Sequence, residues 1–152
     1  MRILRTVSAA ACALLAMAVF GMATPAQGQQ EPHYLAAISD LRTARDYIES
    51  DNRPGVDDLR HHAKEEINKA LVEIKNAAWD DGKNTNFAPP QGGGAPWAPM
   101  HEAKRYIRSA RGHVEGGVDT QANNGLRGRA LAHIDEAERT IDRIIQTRNS
   151  QK

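Results

Sequence analysis

Six histidines are the residues of this sequence best suited to chemistry. Neutral imidazole is a common ligand of transition metals, and carboxylates can complete such a site. His61 precedes Glu65 by four residues, so on a helix both side chains share one face. The same spacing separates His62 from Glu66. Each pair can chelate one divalent cation, but a stable zinc or copper site needs two more donors from a neighbouring helix.

The sequence that contains these histidines has an internal repeat. The segment 41–45 (LRTAR) matches 107–111 (IRSAR), and the segment 59–74 matches 126–141 at six apolar or basic positions. The number of positions between the two copies differs by one residue between these two matches. This difference places a single insertion in the turn between the two matched segments. The sequence therefore consists of two related halves.

Apolar residues within each half recur every three or four positions, which is the pattern of an amphipathic helix. It predicts four helices, at about residues 33–50, 57–78, 99–115 and 123–147. Pro54-Gly55 and Gly116-Gly117 interrupt the pattern, so each half is predicted to be a helical hairpin. One hairpin cannot bury its apolar stripe alone. The sequence therefore predicts an all-α fold, an antiparallel four-helix bundle built from two duplicated hairpins.

The two hairpins are predicted at 31–78 and 99–147, joined by a linker at 79–98 that is rich in proline and glycine. Trp79 and Trp97 bracket this linker, and Phe87 lies inside it. We expect the tryptophans to cover the open end of the bundle, although exposed tryptophans also contact partners.

The first 26 residues resemble a secretory signal peptide. Arg2 and Arg5 precede an apolar run from Val7 to Met22, and small residues follow at 24–26. We expect cleavage there, a mature domain at 27–152 in a bacterial periplasm or outside the cell, and no stable membrane insertion afterwards. The only cysteine, Cys12, would leave with the signal.

The composition of the chain further limits the classes of function that it can have. The chain has 20 basic and 19 acidic residues, too balanced for electrostatic binding of nucleic acid. With 40% hydrophobic and 26% charged residues it can fold, but it has no room for a separate catalytic domain. No serine lies in a nucleophile elbow and no glycine-rich phosphate loop precedes a helix, so the chain is predicted not to be an enzyme.

The repeat suggests where further metal donors lie, because Glu66 aligns with His133 and Tyr47 aligns with His113. These positions flank the apolar stripe. A simple antiparallel register of the second hairpin places His133 near Tyr106 and more than a turn from His113. The candidate metal ligands are His61, His62, Glu65, Glu66, His113 and His133.

The segments 61–67 (HHAKEEI) and 132–137 (AHIDEA), in an exported and duplicated chain, resemble small periplasmic metal-binding proteins with His-containing helical repeats. This resemblance covers both hairpins. It implies a four-helix bundle that binds copper, nickel or a similar divalent metal.

Two functions follow as alternatives. The first is binding or buffering of a divalent transition metal (Cu, Ni or Zn) by helix-face His and Glu. The second is a non-catalytic scaffold that holds another envelope protein and binds no metal, because a duplicated amphipathic hairpin needs no ligand to be stable. Either version is expected to be a monomer or a dimer that exchanges hairpins.

Overall fold

The computed structural model describes residues 32–80, 98–117 and 124–151. Its helices are α1 (Pro32–Ser50), α2 (Asp57–Asp80), α3 (Pro99–Gly116) and α4 (Asn124–Asn149), and these ranges contain no strand. The predicted all-α class is confirmed, and α2 and α4 each continue two residues beyond their expected ends. The signal segment with Cys12, and Phe87 and Trp97 of the linker, lie outside the described residues.

The apolar stripes of all four helices meet in one core. Eight alanines at repeat-related positions are fully buried, and their small side chains allow the helices to approach closely. They are Ala37, Ala44, Ala63, Ala70, Ala103, Ala110, Ala130 and Ala137. Isoleucines such as Ile67 and Ile134 fill the space between these contacts. Neither hairpin has this core by itself, so the hairpins depend on each other for stability.

Each helix packs most extensively against its repeat equivalent, α1 against α3 and α2 against α4. Tyr47 near the end of α1 stacks on Tyr106 in the first half of α3, with 5.8 Å between ring centroids. Arg129 near the start of α4 pairs with Glu73 near the end of α2. Equivalent helices therefore run in opposite directions, and the antiparallel four-helix bundle is confirmed.

The contacts between α1 and α3 reveal an internal twofold relationship. Tyr47 touches Tyr106, and Asp40 lies beside His113. Position 40 is the repeat equivalent of 106, and 47 is the equivalent of 113. Exchanging the two halves thus turns one contact into the other. The duplication in sequence is also an approximate twofold symmetry of the bundle.

The antiparallel pairing of equivalent helices places α2 and α3 parallel to each other on a diagonal. Glu73 near the end of α2 pairs with the start of α4, whereas Met100 at the start of α3 lies beside Ile145 near the end of α4. The end of α2 and the start of α3 therefore lie at opposite ends of the bundle. The expectation that Trp79 covers an open end was wrong, since Trp79 is helical and 81% exposed.

Candidate functional site

Glu66 and His133 form a direct contact between α2 and α4. The Nδ1 atom of His133 lies 2.6 Å from Oε2 of Glu66, and Lys69 donates to Oε1 of the same carboxylate at 2.7 Å. The Glu66 side chain is only 7% exposed. Its burial acts to raise the pKa of Glu66, but the hydrogen bonds from Lys69 and His133 outweigh burial and lower it. Glu66 is thus a charged carboxylate with two partners already in place.

The remaining predicted pairs on α2 form only in part. The Nε2 atom of His61 lies 3.7 Å from Oε1 of Glu65, and both side chains are largely exposed. His62 and Glu66 lie on one face of α2 as expected, and the Nε2 atom of His62 lies 3.5 Å from Oε1 of Glu136 on α4. The face that carries His62 borders α4, which supplies this closer carboxylate, whereas His61 and Glu65 lie on an exposed face.

His113 lies in a different place, against α1. Its Nε2 atom is 3.6 Å from Oδ2 of Asp40, and its ring centroid is 6.3 Å from that of His33. The buried Oδ2 atom of Asp40 accepts no hydrogen bond from any described residue. Sequence reasoning missed Asp40 and did not include His33 among the candidate metal ligands. The repeat offered the signal, because the equivalent of Asp40 is Tyr106, which faces the equivalent of His113.

The expected register of the second hairpin was also wrong. Arg108 pairs with Glu138, and Arg111 pairs with Asp135. These pairs place His133 level with His113 along the bundle rather than near Tyr106. The two histidines nevertheless face different helices, α2 and α1. Within residues 32–80, 98–117 and 124–151, no three His, Cys, Asp or Glu side chains lie close enough together to hold a metal ion.

Comparison of this chain with family models, curated proteins and solved structures found no match. Any function assigned to it therefore rests on its own sequence and geometry. No helix in the described ranges combines the length and hydropathy needed to span a membrane.

The large apolar side chains that remain exposed in the described ranges are Val72, at 56%, and Trp79, at 81%. They are seven residues apart on α2, so they lie two turns apart on one face. We call this surface the α2 apolar face. The repeat equivalents on α4 are Arg139 and Gln146, which are at least partly exposed. The fold therefore accepts polar residues at these positions, and the bundle core does not require the apolar ones.

Proposed function

We propose that the protein is an exported, non-catalytic binding module that holds an envelope protein on its α2 apolar face. The observation that carries the proposal is the difference between the two halves at equivalent exposed positions. Burying a valine and a tryptophan against a partner removes apolar surface from water and stabilises the complex. Tryptophan is also among the residues that contribute most to protein interfaces.

The surroundings of Val72 and Trp79 suit a partner with an amphipathic surface. Lys75 and Asn76 lie between them on α2, and Glu65 extends the same face by two turns. All three are exposed. An apolar centre with a mixed polar rim is typical of reversible protein interfaces. We infer that the partner presents an apolar ridge, such as one face of a helix, with polar groups at its margins.

Site-specific crosslinking in the producing cell tests this proposal. A photoreactive residue replaces Asn76 in one strain and its repeat equivalent, Arg143 on α4, in another. We expect a discrete adduct from position 76 and none from position 143. The double variant Val72→Arg/Trp79→Gln, which copies the polar character of α4, should lose the adduct. Equal adducts at both positions, or an adduct that survives the double variant, would overturn the proposal.

Export is tested separately. The basic start, apolar run and small residues before 27 support a cleaved signal peptide. The mass of the protein recovered from the periplasm or medium should correspond to a chain that begins near residue 27. A full-length chain retained in the cytoplasm would contradict export.

Binding of a divalent transition metal is a second candidate function, favoured by the environment of Asp40. A buried carboxylate oxygen without a hydrogen-bond donor among the described residues lies beside His113, and His33 is the next ring along. Two imidazoles and one carboxylate are suitable donors for Cu, Ni or Zn. As placed, the three groups do not converge on one point, so binding would require a change in side-chain rotamers.

Calorimetric titration of chelator-stripped protein with Cu(II), Ni(II) and Zn(II) tests this second candidate. Loss of micromolar binding in His113→Ala would assign it to the Asp40 environment. Loss only in His62→Ala/His133→Ala would instead assign it to the ligands on α2 and α4. Flat titrations, or weak heats that no substitution changes, would exclude a metal function.

A further inference from the structure

A pocket of about 270 Å³ lies where α3 begins and α4 ends, on the far side of the bundle from Trp79. Arg53 from the turn after α1, Met100 and His101 from α3, and Ile145 and Arg148 from α4 contribute to its wall. Three separate parts of the chain therefore meet around this space. Their side chains combine cationic and apolar groups.

A buried carboxylate organises the two arginines. Asp51 accepts two hydrogen bonds from the Arg53 guanidinium, at 3.0 and 2.9 Å, and another from Nη1 of Arg148. Burial acts to raise the pKa of Asp51, but these hydrogen bonds outweigh it and lower the pKa to about 2. Asp51 is therefore ionised at neutral pH. One negative charge faces two positive ones, which leaves an excess positive charge beside the pocket.

One edge of the Arg148 guanidinium has no partner among the described residues. Its Nε and Nη2 atoms each expose less than 1 Å² and donate to no acceptor there. These two N–H groups point in the same direction and form the fork that binds a carboxylate through both oxygens. Leaving buried charged donors unpaired costs free energy, so a ligand that supplies two acceptors is favoured.

The start of α3 adds to the positive potential. Ala98 at its N-cap supplies no side-chain hydrogen bond, so the first turn lacks the usual polar cap. A helix N-terminus carries a partial positive charge and stabilises anions. His101 in this turn also lines the pocket, and the carboxylate of Glu102 beside it pairs with Arg105. Met100 and Ile145 provide apolar surface within the same pocket.

We propose that this pocket binds a small organic carboxylate, with its two oxygens on the Nε and Nη2 edge of Arg148 and its alkyl part against Met100 and Ile145. Because that edge is covered, entry requires a neighbouring side chain to move, and Arg53, which also lines the pocket, is half-exposed. The site is independent of the α2 apolar face, so either proposal stands if the other fails.

Thermal-shift and calorimetric titrations of the purified protein with hexanoate test the proposal. We expect hexanoate to bind and to raise the midpoint of unfolding. Its neutral analogue hexanamide should not do so, and acetate should bind at least about tenfold more weakly because it lacks the alkyl chain. Arg148→Lys, which keeps the charge but loses the fork, should weaken hexanoate binding at least about tenfold. The matched control Arg139→Lys, on the exposed side of α4, should leave binding unchanged.

Arg148 also contacts Asp51, so a loss of hexanoate binding in Arg148→Lys alone does not separate a lost ligand contact from a disturbed fold. A second variant makes that distinction. Ile145→Glu places a carboxylate in the pocket wall, where it should occupy the Arg148 edge and abolish hexanoate binding in a folded protein. Retained binding in a folded Ile145→Glu or Arg148→Lys protein would overturn the proposal. Equal binding of hexanoate and inorganic phosphate, insensitive to both variants, would indicate adventitious anion binding only and would overturn it as well.

Discussion

Glu66 and His133 occupy the same position in the two halves of the chain, and they touch each other across the bundle. A residue that contacts its own repeat equivalent must lie on the twofold axis. The pair therefore marks where that axis passes between α2 and α4. On one side Lys69 also binds Glu66, whereas the equivalent of Lys69 is Glu136, so the symmetry does not extend to the charges.

Exchanging the axial residues tests this relationship. Glu66→His alone creates two adjacent histidines and His133→Glu alone creates two adjacent carboxylates, so each should destabilise the fold by about 1–3 kcal/mol. The double exchange restores an acid and an imidazole in contact and should recover part of that loss. Urea denaturation of the four proteins gives the coupling energy. Strictly additive effects would argue against direct contact on an axis.

Asp51 should make the fold sensitive to acid. Its folded pKa of about 2 lies below the ordinary value of 3.8, so its contribution is present above about pH 4 and is lost as the pH falls towards 2. The difference corresponds to about 2 kcal/mol. Asp51→Asn should lose at least this much stability at pH 7 and show a shallower decline below pH 4. The exposed Asp46→Asn is the control, and a parallel decline in both variants would contradict the assignment.

Neighbouring residues on α2 should respond differently to substitution. Val72→Arg and Trp79→Gln alter exposed side chains and should change the free energy of unfolding by no more than about 0.5 kcal/mol. Ile74→Ala removes a side chain that is 1% exposed and should cost about 2–5 kcal/mol. Thermal and urea unfolding measure both. A large loss from Trp79→Gln would show that this side chain supports the fold rather than a partner.

Replacing each of two glycines by alanine should change the free energy of unfolding in opposite directions. Gly55, between α1 and α2, has φ 87°, which residues with a Cβ adopt at a cost of about 1–2 kcal/mol. Gly55→Ala should therefore destabilise the protein. Gly128 lies within α4 and has open space where a Cβ would lie, so Gly128→Ala should stabilise the protein by about 0.5–1 kcal/mol. Unfolding midpoints in urea measure both, and the same sign for both would contradict the backbone assignment.

The length of the linker should determine whether the two hairpins of one chain can pack against each other. An 18-residue helix such as α3 is about 27 Å long. Residues 81–97 can reach about 56 Å when fully extended, which is ample for a path between opposite ends. Deleting 84–93 reduces the reach to about 25 Å or less. We expect the intact protein to be a monomer and the deletion variant to form a hairpin-exchanged dimer, as measured by light scattering. A folded monomeric deletion variant would disprove the opposite-ends arrangement.

The sequence was sufficient to predict the helices and their buried faces, because both are local properties of the chain. Ala63, Ile67 and Ala70 repeat at helical intervals, and the same spacing reappears at 130, 134 and 137. Periodicity does not say which helix lies opposite each face. The pairing of α2 with α4 and the register of α3 against α4 depend on contacts between distant segments, and the expected position of His133 was wrong for that reason.

The candidate site was less accessible to sequence reasoning. His62 shares a helix face with Glu66, but its partner is Glu136. A side chain that lies where two helices meet can reach the neighbouring helix. The Asp51 cluster joins residues nearly a hundred positions apart, and nothing in the local sequence connects Asp51 to Arg148. Only the three-dimensional arrangement brings these groups together.

The axial contact has a consequence for the origin of such a chain. Two identical hairpins assembled as a homodimer would place the same residue at both axial positions, so glutamate would face glutamate or histidine would face histidine. A complementary acid and base on the axis is available only after fusion, when each copy can change alone. The Glu66 and His133 pair is therefore a structural signature of independent divergence between fused copies.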